Sequence, residues 1–265
     1  MFGISHGHVT GNRMSRWVLA GVVGVWLSLN VVATEFRIDS NVQGIKSTAF
    51  LLQGKFYSMT GDNGEIVEFD AETKMFTLIN PALRLQTQLD GEAIRKNVEQ
   101  LRERLLHHPN TKTDSFGYFA FSPKFETEFS PVSGMLALQS NWIDYEIKTI
   151  PFADSSAAMY HDFCDWVCYL NLRLNPRSSQ MLTRLEVNRL LREKQRFAVS
   201  VSVSIYAGGK QGLAKPSQVS SSHDLVRRLS DADRKRIEQV QEFKRTFSRA
   251  TIDEYQKLFA EKLAK

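Results

Sequence analysis

The sequence predicts an α+β fold with one curved, largely antiparallel sheet covered by helices. Three observations predict it. Short apolar segments separated by turn residues fill residues 36–87, helical patterns are inserted at two points and again at the end, and no strand–helix alternation of the kind a parallel sheet requires runs along the chain.

Taken in order, Phe36 to Val42, Thr48 to Leu52, Phe56 to Thr60, Glu65 to Phe69, Met75 to Ile79 and Leu83 to Leu89 read as strands of a meander. Gly61-Asp62-Asn63-Gly64 supplies residues that tolerate positive φ and closes a hairpin between the third and fourth of them. Asn80-Pro81 punctuates a later connection, because proline cannot donate to a ladder. Asp90 then N-caps a helix to Leu106, whose apolar stripe is Ile94, Val98, Leu101 and Leu105.

The aromatic stretch from Phe116 to Ile150 reads as a return to strands: Lys124 to Phe129, Met135 to Gln139 and Trp142 to Lys148. In the last of these, Ile143, Tyr145 and Ile147 share one face and Asp144, Glu146 and Lys148 the other, so one face is buried and one is wet. Two helices follow, Ser155 to Leu174 and Ser178 to Glu193, separated by Asn175-Pro176. Phe197 to Tyr206 is the clearest strand, with Val199, Val201, Val203 and Ile205 alternating with serines, and Gln218 to Leu229 returns beside it. Ser230 caps a further helix with Asp233 three residues on, and a final helix carries Ile252, Tyr255, Leu258 and Phe259.

Residues 17–33 are an uncharged apolar run preceded by Arg13 and Arg16 and closed by Val31-Val32-Ala33. These are the three parts of a secretory signal peptide cut after Ala33. The run is also at the lower edge of membrane-spanning length, so an uncleaved N-terminal anchor is the alternative. The expected organisation is residues 1–33 as signal peptide or anchor and 34–265 as a single α+β domain, working in the periplasm or outside the cell.

The formal charge is +5, and without Arg13 and Arg16 it is about +3, too weak to argue for nucleic acid. Basic clusters at Arg184 to Arg196 and Arg227 to Arg236 interleave acidic residues, so they read as solvated helix faces, with contact to an anionic membrane surface or an acidic partner as the alternative. Nothing in the sequence calls for a cofactor, and no nucleophile elbow, phosphate loop or H-E-x-x-H pattern is present.

Two clusters could carry chemistry. His161, Cys164, Asp165 and Cys168 gather on one side of a helix, opposite Met159, Phe163, Trp166 and Leu170. They could be metal ligands, a redox pair or small residues filling a packed layer; closing an i,i+4 disulfide would distort the helix, so an intact helix predicts two thiols. The aromatics around residues 116–145 either form core or line a cavity for an apolar ligand. The candidate ligand-binding residues are Phe119, Phe121, Phe125, Phe129, Trp142 and Tyr145.

Several segments carry a resemblance: Phe69-Asp70-Ala71 with Met75 to Pro81 and Arg84 to Thr87, then Asp162 to Trp166, and Arg228-Leu229-Ser230 with Asp233-Arg234. Together they resemble an uncharacterised family of secreted proteins from planctomycete bacteria, which implies export but no activity. In element order the chain resembles the periplasmic lipoprotein carriers and outer-membrane lipoprotein-sorting proteins. That likeness implies a half-barrel whose curved sheet holds acyl chains, and it transfers no functional residue. The sequence-based expectation is a non-enzymatic, exported envelope protein whose partner is an apolar ligand or a lipidated protein. The alternatives are a structural or protein-interaction module of the envelope, and a metal or thiol protein centred on His161, Cys164 and Cys168.

Overall fold

A computed structural model of the protein describes residues 35–61, 64–108, 112–175, 182–206, 208–212 and 215–263. The predicted signal peptide or anchor lies outside the described residues, as do the two central residues of the Gly61 to Gly64 turn. Two meanders build a single open sheet. The first is β1 (Phe36–Val42), β2 (Ile45–Leu52), β3 (Lys55–Thr60), β4 (Ile66–Asp70), β5 (Met75–Asn80) and β6 (Leu85–Asp90). After the helices α1 (Gly91–His107) and α2 (Phe116–Phe121) comes β7 (Glu126–Ser130), β8 (Met135–Gln139) and β9 (Ile143–Pro151). The helices α3 (Ser155–Leu174) and α4 (Thr183–Glu193) then precede β10 (Arg196–Ile205) and β11 (Ser217–Val226). The chain closes with α5 (Asp231–Thr246), the two-residue β12 (Ser248–Arg249) and α6 (Ile252–Leu263).

The strand order is β12-β6-β5-β4-β3-β2-β1-β11-β10-β9-β8-β7. All pairs are antiparallel except β12 beside β6. The first meander grows outward from β1, and the second returns so that β11 docks on β1 in the register Arg37 to Val226 and Ser40 to His223. The early hairpins turn on Gln43-Gly44 and Gln53-Gly54, all four at positive φ, the backbone that matches the twist of the flanking strands.

Burial along each strand records what covers it. In β5 every residue from Phe76 to Asn80 is buried, because both faces of this half of the sheet are covered. On one face Phe56, Phe69, Phe76 and Leu78 join Phe163 and Trp166 of α3, with Phe56 and Phe163 stacked at 4.2 Å. On the other, Phe50, Tyr57, Ile66 and Ile79 meet Ile237 and Val240 of α5. In β9 burial alternates: Ile143, Tyr145 and Ile147 sit under Val187, Leu190 and Leu191 of α4, and Glu146 and Lys148 are exposed.

Local signals position the helices. Asp90 caps α1 by accepting from the Ala93 N–H, and Ser230 and Asp233 form a reciprocal capping box at the start of α5. Arg37 also pairs with Asp233 at 3.2 Å, tying β1 to that cap. The aromatic run Phe116–Phe121, read from its β propensity as part of a strand region, is instead a short helix. The Ser115 hydroxyl accepts from the Tyr118 N–H, and burial of Phe119, Ala120 and Phe121 overrides propensity. β12 carries no sequence signal; it forms because the backbone N–H groups of Ser248 and Ala250 reach the carbonyls of Arg84 and Gln86. Among the described residues no helix is long and apolar enough to cross a membrane.

Candidate functional site

The face of the sheet that meets α3 and α4 is not packed throughout. Between six adjacent strands, β3-β2-β1-β11-β10-β9, and the two helices lies a cavity of about 490 Å³. The register explains its floor, because directly paired residues point the same way. One row runs Tyr145, Val203, Val219 across β9, β10 and β11. Another runs His223, Ser40, Ser47 across β11, β1 and β2. The floor is therefore apolar toward β9 and hydroxyl-rich toward β2, where Ser58 continues the polar side.

The roof is a stripe of α3 at helical spacing, Tyr160, Phe163, Cys164, Val167, Cys168 and Asn171, together with Arg184 and Asn188 of α4. Tyr145 donates or accepts a 2.7 Å hydrogen bond with the Thr183 hydroxyl, joining floor to roof. Asn188 is held in turn by Asp165, whose carboxylate accepts from its amide at 2.8 Å and pairs with Arg192 at 2.7 Å.

Electrostatically the cavity is simple. His223 bridges two serines, with Nδ1 2.8 Å from Ser40 Oγ and Nε2 2.9 Å from Ser221 Oγ. Burial, followed by the nearby Arg184 charge, lowers its pKa to about 4, so the ring is neutral at neutral pH. Burial pushes the Cys164 thiol up to about 11 and Cys168 up to about 12. Both cysteines are free and are held as thiols, the unreactive form. Among the described lining residues, Arg184 is then the one formal charge.

Ser221 lies beside an imidazole, but the other ring nitrogen faces a second serine, and among the described lining residues none is a carboxylate that could orient the ring as a base. The strands of the floor are paired in ladders, which engage their backbone N–H groups.

No protein-family profile matches the chain, and neither does any curated protein. The reading of the site therefore rests on its geometry.

Of the residues singled out from the sequence, Tyr145 lines the cavity and the other five sit elsewhere. Phe119 is core, in edge-to-face contact with Phe125 at 5.3 Å. Phe121 borders a separate cleft between α1 and α4. Phe125 edges a surface depression with Lys124 and Lys210, Phe129 lies under Lys194 and Arg196, and Trp142 packs on Phe116 at 6.0 Å. Phe163, Tyr160 and the valine face of β10 are the residues missed; the period-two valine pattern was legible, but not what it faced.

The helical cluster also needs correction. Among the described residues no group of three or more His, Cys, Asp or Glu side chains is arranged to hold a metal ion. Cys164 and Cys168 face the cavity beside Phe163 and Val167, not the side opposite the apolar stripe. His161 is buried elsewhere, its ring 6.2 Å from Phe152.

Proposed function

We propose that this protein is a non-enzymatic, exported envelope protein that binds an apolar or lipidated ligand in the cavity between the central strands and helices α3 and α4. The observation that carries the reading is the cavity itself: about 490 Å³ walled chiefly by Ile, Val, Phe and Tyr side chains, within the range of size and character of ligand pockets. Phe50, Leu51, Phe76, Leu78, Leu136 and Leu138 of the same sheet are fully buried, so an apolar space beside such close packing is a distinct feature of this face.

The resemblance to lipoprotein carriers and sorting proteins supports the same reading, in which the open sheet acts as a half-barrel holding acyl chains. The apolar run over residues 17–33, with its flanking arginines and small residues, supports export. Organic extraction of the purified protein followed by mass spectrometry tests the function. It should release an acyl or other apolar molecule in near-stoichiometric amount, and the emptied protein should bind the neutral fluorophore N-phenylnaphthylamine. Protein that releases nothing and binds no fluorophore would defeat the reading and favour a protein-interaction module with a solid core.

A further inference from the structure

Helix α4 carries three arginines whose surroundings differ in an informative way. Arg189 pairs with Glu186 at 2.6 Å and with Glu193, and Arg192 pairs with Asp165 at 2.7 Å and Asp162 at 3.1 Å. Arg184, half-buried on the cavity side of the same helix, makes no ion pair and no side-chain hydrogen bond among the described residues. A guanidinium is never neutral in a protein and offers five donors in a planar fork that matches a carboxylate or a phosphate. Removing it partly from water beside an apolar wall without a partner is unfavourable, so its position is explained by an anion that arrives with the ligand. Its place in the first turn of α4, where the peptide dipoles add positive potential, favours the same sign.

We propose that the occupant of the cavity is a single-chain anionic amphiphile, its carboxylate or phosphate seated on the Arg184 guanidinium and its chain lying along Val203, Val219 and Ile143. The proposal rests on the binding reading above and adds the charge and the chain number. Charge complementarity argues the first: among the described lining residues Arg184 alone is charged, and the neutral His223 adds no second cation. Size argues the second: at about 490 Å³ the cavity lies in the lower half of the range of small-ligand pockets and suits one acyl chain. Asn171, Asn188, Ser40 and Ser47 offer further hydrogen bonds to the headgroup or to a neighbouring hydroxyl.

Calorimetric titration of the purified protein, stripped of bound lipid, with four probes of one chain length tests this: dodecanoate, dodecyl phosphate, dodecanol and dodecyltrimethylammonium. Both anions should bind at least about tenfold more tightly than the alcohol, and the cation most weakly. Each two-carbon extension from decanoate should gain about fifteenfold, since one buried methylene is worth about fourfold. Arg184→Gln should bring both anions down to the affinity the same variant shows for the alcohol, and Arg184→Lys should keep the preference for anions. The relative strength of dodecanoate and dodecyl phosphate assigns the natural headgroup to a fatty acid or a phosphorylated single-chain lipid. Alcohol and anions bound equally, or an anion preference that survives Arg184→Gln, would overturn the anionic assignment while leaving the apolar cavity standing. Failure of all four probes, the alcohol included, would overturn the binding reading beneath it.

Discussion

Acid should weaken this fold through His161, and the size of the effect follows from its surroundings. The side chain is 2% exposed and its Nε2 has no hydrogen-bond partner. Burial first, and the nearby Arg192 charge second, lower its pKa to about 4, against 6.5 for a free imidazole. Below about pH 6.5 the unfolded chain therefore binds a proton that the fold refuses. Stability contributed by the neutral ring is complete above that pH, declines as pH falls toward 4, and then levels off. Taking 6.5 and about 4 as the two limits, the loss between pH 7.5 and 4.5 is about 2.5 kcal/mol.

Urea unfolding followed by tryptophan fluorescence at those two pH values, on the parent and on His161→Leu, measures it. Near pH 7.5 the two should lie within about 1 kcal/mol, because the substitution removes an unpartnered buried Nε2 and keeps a filling of similar size. At pH 4.5 the variant should gain about 2.5 kcal/mol relative to the parent. His223, also lowered to about 4, and Glu65, whose burial raises its pKa, titrate in both proteins and cancel in the difference. Equal pH dependence of parent and variant, within about 0.5 kcal/mol, would refute the account of a neutral buried ring.

Two further substitutions probe the frame around the site. Glu68 is buried on β4 and faces Lys244 of α5 at 2.7 Å and Lys55 at 3.6 Å; Lys244→Met should cost about 3 kcal/mol, and adding Glu68→Leu should restore most of it, as urea denaturation of the single and double variants would show. Gly134 sits at φ +70° in the β7–β8 turn, where an added Cβ would meet the Thr149 carbonyl oxygen at 2.5 Å; Gly134→Ala should cost about 2 kcal/mol or more and lower the melting temperature by at least about 4 °C in calorimetry.

Much of the frame was legible because its signals are local. The valine and serine alternation of Phe197 to Tyr206, the Asp90 cap and the Ser230–Asp233 box each specify structure within a few residues, and each appears where the pattern placed it. The site was less legible because it is assembled from distant pairs. Ser40 and His223 meet across 183 residues of sequence, and nothing near either one announces that β11 docks on β1. Large aromatics drew attention to residues 116–142, yet those rings pack against one another and the second core, whereas the cavity floor is made mainly from β-branched residues and serines. Arg184 was hidden in a basic cluster; only its spacing to Asn188, one turn on, and its proximity to Val187 hint that it turns inward.

The central claim is that the ligand occupies the cavity floor and not some other surface, and adjacent residues of β10 test it most directly. Val203 lines the cavity and Ser202 points to the opposite face of the sheet. N-phenylnaphthylamine titration of Val203→Trp and Ser202→Trp should show binding abolished in the first and retained in the second, with both proteins folded by circular dichroism. Undiminished binding in Val203→Trp would contradict the account.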